Sequence, residues 1–194
     1  MKTAKAPHLA CLLMAAWLPA LTQAEVINEA AGPHLAIVNF TMENDTKEWE
    51  VQDDVVMGGR SAGSFAINSD GHGVFSGKVS LENNGGFSSI QHNFDTIAVS
   101  AYTTACIRIK GDGKRYQFRV KSSNRERWCY IYQFETSGDW HTIEIPLAEM
   151  YPSFRGNRLK LPNYPGLSMA HMRFLIGNKT AESFELQIDR IWLK

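Results

Sequence analysis

The sequence predicts an all-β fold, an antiparallel β-sandwich or jelly roll, from three observations. From Leu35 onwards, apolar and polar residues alternate in short runs, as a strand with one buried face requires. Gly, Asn, Asp or Pro separates one run from the next. No stretch repeats its apolar residues at a helical period, so about eleven short strands favour two packed sheets over alternating strands and helices.

Turn residues divide the predicted strands, and one pair of strands stands out. Apolar and charged residues alternate over 107–110 and again over 116–121, with Gly111-Asp112-Gly113 between the two runs. A glycine-containing turn between alternating runs predicts a β-hairpin. The other predicted strands, in chain order, are 36–40, 49–56, 64–68, 73–81, 87–93, 128–135, 140–146, 172–177 and 183–193.

The stretch 147–170 is the one long segment without a predicted strand. It contains Pro152, Pro162 and Pro165, too much proline for a regular element. A connection of this length inside a compact domain is usually functional or packed as a lid. We therefore expect its aromatic residues, Tyr151, Phe154 and Tyr164, to be accessible.

The first 24 residues have the pattern of a secretory signal peptide. Lys2 and Lys5 precede an apolar stretch over 9–21, and small Ala24 offers a cleavage point before Glu25. The apolar stretch is short for a membrane span of about 20 residues. The pattern predicts a periplasmic or secreted protein with a single domain over 25–194 and no stable membrane span after cleavage.

Charge argues against two classes of partner. The chain has 20 basic and 20 acidic residues, and cleavage removes two lysines, Lys2 and Lys5, to leave 18 against 20, a mature net charge of −2. A chain of this charge has no excess of cations for nucleic acid or for an anionic membrane.

The mature chain has two cysteines, Cys106 and Cys129, both on predicted strands. Export would allow a disulfide between them to persist. The spacing leaves a bridge and two separate thiols both open. No second pair of cysteines and no group of histidines completes a zinc site.

Two loops carry the most informative residues of the chain. Residues 53–61 and 83–89 each combine polar side chains, a double glycine and one apolar residue. Glycine supplies positive φ angles and close backbone approach, which suggests shaped loops on a β framework. With the segment at Phe154, they supply the candidate binding residues: Asp53, Asp54, Met57, Gly58, Gly59, Arg60, Ser61, Asn84, Gly85, Gly86, Phe87, Phe154 and Arg155.

Asp53 and Asp54 have three alternative roles. Paired carboxylates serve acid–base catalysis in hydrolases when the pKa of one is raised. Acids at a strand end more often accept backbone hydrogen bonds and shape a turn, which is the role we favour. A Ca²⁺ site is a third alternative, although the spacing of an EF-hand loop is missing. No nucleophile elbow or phosphate-binding loop occurs, so we expect no catalytic residues and no cofactor.

The ordered motifs resemble the complex I intermediate-associated protein family. They are Trp49, the two glycine loops, Phe75-Ser76-Gly77, Arg108-Ile109-Lys110-Gly111-Asp112-Gly113, Trp140 with Ile145-Pro146, and Phe154-Arg155-Gly156. The resemblance runs from about 40 to 193. It implies a galactose-binding-like β-sandwich with a non-enzymatic role. The best-known relatives are mitochondrial factors that bind assembly intermediates of NADH:ubiquinone oxidoreductase, whereas the leader of this chain predicts export.

The sequence therefore predicts an exported, non-enzymatic binding domain. We expect the two glycine loops to meet at a common rim and Phe154-Arg155 to close over them, holding a protein partner such as an assembly intermediate of a membrane complex. In this arrangement Arg155 clamps an acidic partner or neutralises Asp53. A carbohydrate-binding module is the alternative, for which an exposed Tyr or Trp lining a groove would be diagnostic. A hydrolase that uses Asp53 or Asp54 is the least favoured function.

Overall fold

The computed structural model describes residues 34–44 and 46–194, except for the side chains of Val56 and Met57. The predicted signal peptide and its cleavage point at Ala24 and Glu25 lie outside the described residues. Within the described part, no helix has both the length and the apolar character needed to cross a bilayer.

The described residues form thirteen β-strands and three short 3₁₀ helices. The strands are β1 Leu35–Asn39, β2 Trp49–Asp53, β3 Ala62–Ile67, β4 Gly73–Val79, β5 Ser88–Ala98, β6 Thr104–Lys110, β7 Arg115–Lys121, β8 Cys129–Glu135, β9 His141–Pro146, β10 Tyr151–Phe154, β11 Asn157–Arg158, β12 Ser168–Ile176 and β13 Glu182–Leu193. The 3₁₀ helices are Asp54–Met57, Glu82–Asn84 and Leu147–Glu149.

The strands form two antiparallel sheets, which confirms the predicted β-sandwich. The six-stranded sheet has the order β3-β4-β13-β6-β9, and β1 pairs with β13. The seven-stranded sheet has the order β11-β10-β8-β7-β12-β5-β2. The predicted face of the last strand is confirmed, because Phe184, Leu186 and Ile188 are all buried.

The core lies between the sheets, where alternate positions of each strand meet. The largest fully buried side chains come from both sheets and include Phe75 and Ile107 on one side and Phe118 and Phe174 on the other. The intervening positions of the seven-stranded sheet, such as Arg119, are not part of this core cluster. Period-two alternation therefore gives this sheet a largely polar outer face.

The predicted hairpin is wrong, although both of its strands exist. β6 pairs with β9 and β13, whereas β7 pairs with β8 and β12 in the other sheet. Both strands direct apolar residues into one core, so alternation alone does not say which sheet each strand joins. Asp112 holds the crossing turn, because its carboxylate accepts hydrogen bonds from the Tyr116 hydroxyl at 3.1 Å and the Glu185 N–H at 2.9 Å.

The proline-rich connection contains more regular structure than its sequence predicts. β10 and β11 extend the edge of the seven-stranded sheet. β10 tolerates Pro152, which has no N–H, because this residue lies just beyond the pairs that β10 forms with β11. On that side only the Pro152 carbonyl is used, and it accepts the Leu159 N–H at 2.9 Å. Tyr164 is 3% exposed, not accessible, and its hydroxyl donates to the Ser168 carbonyl at 2.6 Å. Tyr151 and Phe154 are half-buried.

A register shift in β12 decides which side chains reach the outer face. Pairing with β5 is interrupted between Met169 and His171, as in a β-bulge. Met169 and Met172 therefore both face the core, although they are three positions apart, while Arg173 lies outside it.

Candidate functional site

The two glycine loops lie together at one end of the sandwich. The first loop connects β2 of the seven-stranded sheet to β3 of the six-stranded sheet, and the second connects β4 back to β5. Because β2 pairs with β5 and β3 pairs with β4, the two crossings are neighbours at both ends. The predicted common rim of these two loops therefore exists.

The buried carboxylate of Asp54 joins the loops. Its Oδ1 accepts the Ser61 N–H at 3.0 Å, and its Oδ2 accepts the Ser61 hydroxyl at 2.5 Å. Oδ2 also accepts the N–H groups of Gly86 at 2.6 Å and Phe87 at 3.2 Å, which belong to the second loop. Asp54 is 2% exposed, and burial by itself raises the pKa of its carboxyl group. The hydrogen bonds from Ser61, Gly86 and Phe87 outweigh burial and lower that pKa below its usual value.

One glycine of each pair is required by the approach of this carboxylate. A Cβ at Gly59 would lie 2.1 Å from Asp54 Oδ1, and one at Gly85 would lie 2.6 Å from Oδ2. Gly58, with φ of 89°, ends the 3₁₀ helix in a conformation that favours glycine. These residues therefore shape the loops around Asp54.

Asp53 makes a second link between the two crossings. Its Oδ2 accepts the Gly63 N–H at 2.9 Å, and its Oδ1 accepts the Ser88 hydroxyl at 2.5 Å. Both carboxylates are thus acceptors in loop-shaping networks, which matches the favoured role. The geometry argues against a hydrolase that uses Asp53 or Asp54, since neither carboxyl group has an oxygen free of protein donors.

The outer surface of the linked loops combines apolar and charged side chains. Val55 is 58% exposed and Leu81 is 46% exposed. Arg60 and Glu82, also exposed, form an ion pair across the two loops at 3.2 Å. Asn84 is exposed and takes a positive φ of 60°. We call the surface formed by Val55, Arg60, Leu81 and Glu82 the loop surface.

The prediction that Phe154-Arg155 closes over the glycine loops is wrong. β10 lies four strands from β5 in the seven-stranded sheet, a separation of about 19 Å at the usual strand spacing. Its register also directs Phe154 towards the end of the sheet opposite Ser88. Arg155 lies over the Phe154 ring at 5.4 Å, at the tip of β10 and β11, and does not neutralise Asp53.

The structure contains neither a disulfide nor a metal cluster among the described residues. Cys106 on β6 and Cys129 on β8 are both buried thiols without a partner sulfur. They lie in different sheets, which pack about 10 Å apart, whereas bridged cysteines have Cα atoms no more than about 7 Å apart. No group of three or more His, Cys, Asp or Glu residues within 34–44 and 46–194 is placed to hold a metal ion.

A second candidate site lies on the outer face of the seven-stranded sheet. Strand register places six outer side chains in one row across it: Glu50, Gln91, Arg173, Arg119, Ile131 and Tyr151. At the β10 end of this row is a cavity of about 590 Å³, within the range of roughly 300–1,000 Å³ that small-molecule sites occupy. It is lined by Gln117, Arg119, Ile131, Tyr132, Gln133, Glu149, Tyr151, Ser153, Gly156 and Arg158. We call it the face cavity.

Polar groups dominate the face cavity. Gln133 Nε2 donates to the Tyr151 hydroxyl at 2.9 Å, and the Arg158 guanidinium lies 4.7 Å from the centre of the Tyr151 ring. Arg119 Nε and Nη2 both donate to Gln117 Oε1, at 2.9 and 2.6 Å. Burial, with the neighbouring charge of Arg173, lowers the pKa of Arg119 to about 10, so the group still carries its charge at neutral pH.

Sequence patterns did not reveal this cavity as a site. Gln117 and Arg119 alternate with core residues in β7, which is what any half-buried strand shows. Only strand pairing places Arg173 opposite Arg119, at a distance of 54 positions in the chain. A pattern search within one segment has no means of finding such a pair.

Comparison with known proteins confirms both the family resemblance and the fold. The family model of complex I intermediate-associated protein 30 matches residues 38–188. Curated protein sequences provide no match. A family 11 carbohydrate-binding module from Clostridium thermocellum, solved with a β-1,3-1,4-mixed-linked tetrasaccharide, is 16% identical with a TM-score of 0.61, covering 84% of this chain and 96% of that one. An agarase is 8% identical with a TM-score of 0.57, covering 84% of this chain and 25% of that one.

Gly59→Ala should lower the free energy of unfolding by about 2 kcal/mol, because the new methyl group overlaps the Asp54 carboxylate. Urea denaturation of the purified protein measures this. Gly138→Ala is the matched control, since a Cβ there meets nothing within 4 Å, and its effect should stay within about 0.5 kcal/mol. Equal losses in the two variants would contradict the requirement for glycine at Gly59.

Acidification should remove the stabilisation that Asp54 provides. Since the pKa of Asp54 is lowered in the folded protein, its contribution is complete above the unfolded-state pKa of about 4 and is lost as pH falls through the folded pKa. Asp54→Asn should therefore be less stable than wild type at pH 7 and lose less stability between pH 7 and pH 3. Urea denaturation at both pH values measures the difference, and an identical loss in the two proteins would show that Asp54 does not contribute.

Proposed function

We propose a non-enzymatic binding role for this chain, which belongs to the complex I intermediate-associated protein 30 family. In this role the domain holds a protein partner during assembly of a membrane complex. The family match over residues 38–188 carries this proposal. The basic and apolar leader before Ala24 supports export, so the partner is expected in the periplasm or outside the cell.

The loop surface is the part of the molecule that we propose contacts the partner. It offers two exposed apolar side chains, Val55 and Leu81, and the exposed ion pair of Arg60 and Glu82. Protein interfaces combine apolar and polar side chains in this way. Asp54 holds both loops from beneath through four hydrogen bonds, so little loop entropy is lost when a partner binds.

The same network supports a binding role over a catalytic one. The carboxylates of Asp53 and Asp54 accept hydrogen bonds from their own and the adjoining loop, and the pKa of Asp54 is lowered, opposite to what a general acid needs. The proposal accordingly assigns no catalytic residue and no cofactor.

A double variant, Val55→Ser with Leu81→Ser, should reduce recovery of the partner from the native envelope fraction by roughly tenfold, since these side chains would be central to the interface. Affinity purification with quantitative mass spectrometry measures the loss. Unfolding free energy should stay within about 1 kcal/mol of wild type, because both side chains are exposed.

Leu167→Ser is the matched control for this experiment. Leu167 is 63% exposed and precedes Ser168, which pairs with Ala98 at the end of β5 away from the glycine loops. The control should recover the partner as wild type does. Equal recovery by all three proteins, or a loss of partner that follows a loss of stability, would overturn the assignment of the loop surface.

Glycan binding at the face cavity is a second function that we propose for a separate surface. The supporting observation is an open, polar cavity in which a Tyr side chain and two amides converge, Tyr151 with Gln117 and Gln133. Amide groups and an aromatic edge suit the hydroxyl groups and apolar faces of a sugar. The sandwich neighbours include carbohydrate-binding modules, which at their low identity support this function only through the fold.

Tyr151→Ala should weaken binding of any oligosaccharide that wild type recognises on a glycan array, by roughly tenfold, because it removes the aromatic side of the cavity and the partner of Gln133. Isothermal titration calorimetry with each recognised glycan measures the change. The double variant at Val55 and Leu81 is the control and should bind glycan as wild type does. An array on which wild type binds nothing would remove this function.

A further inference from the structure

Two arginines face each other on the outer sheet face with no acidic partner between them. Arg119 of β7 and Arg173 of β12 are directly opposite in the strand register. Like charges at opposed positions of an antiparallel pair are destabilising. Burial also lowers the pKa of both guanidinium groups, to about 10 for Arg119, which shows that the protein environment disfavours their charge.

The protein supplies these arginines with neutral acceptors only. Arg119 donates to Gln117, and Arg173 donates through Nη2 to Gln91 Oε1. The Nε of Arg173 is buried and has no hydrogen-bond partner. The charge of Glu50 acts on Arg173 to raise its pKa, but Glu50 makes no hydrogen bond to this arginine; its Oε2 accepts Gln91 Nε2 at 2.9 Å. Within the described residues, neither Arg119 nor Arg173 takes part in an ion pair.

The face cavity opens next to this pair and is itself positively charged. Arg119 and Arg158 line it, against the single carboxylate of Glu149. Arg173 adds a third positive charge beside Arg119, outside the lining. Arg158 is exposed and also forms no ion pair within the described residues. A bound carboxylate would form the ion pair that these arginines do not form within the described part of the protein.

The remaining polar groups of the cavity indicate what else the ligand carries. Gln117 uses its carbonyl oxygen for Arg119, and Gln133 uses its amino group for Tyr151, so Gln117 Nε2 and Gln133 Oε1 are left for a ligand. Arg158 covers one face of the Tyr151 ring. Hydrogen bonds and charge therefore contribute more to ligand selection than stacking on this ring does. One free donor and one free acceptor suit hydroxyl groups, which do both.

We propose that the face cavity binds a saccharide that carries a carboxylate group, with Arg119 and Arg158 at the carboxylate and Gln117 and Gln133 at the hydroxyl groups. This proposal rests on the glycan-binding function given above and adds the charge of the ligand. Each hydroxyl group of a saccharide can donate to Gln133 Oε1 or accept from Gln117 Nε2, so we assign the cavity to a saccharide and make an acidic peptide an outcome of the test. Guanidinium groups bind carboxylates bidentately, which makes the interaction specific as well as strong.

Titration calorimetry with two forms of one sugar tests the proposal. The probes are a trisaccharide of galacturonic acid and its fully methyl-esterified form, which differ in charge and not in the sugar backbone. Wild type should bind the acid roughly tenfold or more tightly than the ester, the difference that one charged contact commonly makes. The affinity for the acid should also fall as salt concentration rises.

Arg119→Gln should lose this preference while keeping the weak affinity for the ester. The thermal unfolding midpoint should equal or exceed that of wild type, because the substitution removes one of two opposed charges. A residue that only supports the fold would show the reverse, lower stability with both ligands equally affected. Arg158→Gln is a second variant at an exposed position, where folding is not at risk, and it should also lower affinity for the acid. Arg190→Gln, an exposed arginine of the six-stranded sheet, is the control and should change neither affinity.

The outcomes separate the two levels of the proposal. Equal binding of acid and ester by wild type overturns the proposal that the ligand carries a carboxylate, and it leaves glycan binding in place. Binding of neither sugar, with no other acidic or neutral glycan bound on an array, overturns both. Tighter binding of a polyglutamate peptide than of any acidic glycan overturns the saccharide and assigns the cavity to an acidic protein.

Discussion

The carboxylate of Asp54 is the interaction on which one end of the sandwich depends. A charged group that is 2% exposed is tolerated only when donors surround it, and here three N–H groups and one hydroxyl do so. Those donors come from two chain segments that cross between the sheets. Asp54 therefore holds the two crossings close together, with Asp53 as a second link, and the glycines at Gly59 and Gly85 leave room for the Asp54 carboxylate.

The architecture also separates the two proposed surfaces. The loop surface lies where β2 and β5 end their pairing at Asp53 and Ser88, while the face cavity lies at the opposite edge, beside β10. The first depends on two linked loops, and the second depends on outward side chains of paired strands. The two surfaces share no residues, so the two proposed functions are independent of each other.

The pattern of the sequence predicts individual strands well and their partners poorly. The strand over 107–110 is real, and so is the one over 116–121, yet they belong to different sheets. Alternation reports that one face of a strand is buried, and both sheets bury their faces in the same core. The β10 strand was missed for a related reason, since Pro152 is excluded from a sheet interior but is accepted where the ladder ends. The motifs around Phe154-Arg155 carry no information on sheet order, and it is sheet order that puts this segment at the edge far from the glycine loops.

The sequence by itself determined the all-β class, the family and the two glycine loops, because alternation, turn residues and motifs are properties of short segments. It also indicated that Asp53 and Asp54 shape a turn, although not that Asp54 reaches across to Gly86. The tertiary structure alone decided which strands are neighbours, and with them the meeting of Arg119 and Arg173 and the cavity beside them. Such contacts join positions far apart in the chain, and they depend on the packing of two sheets around one core, which no local pattern encodes.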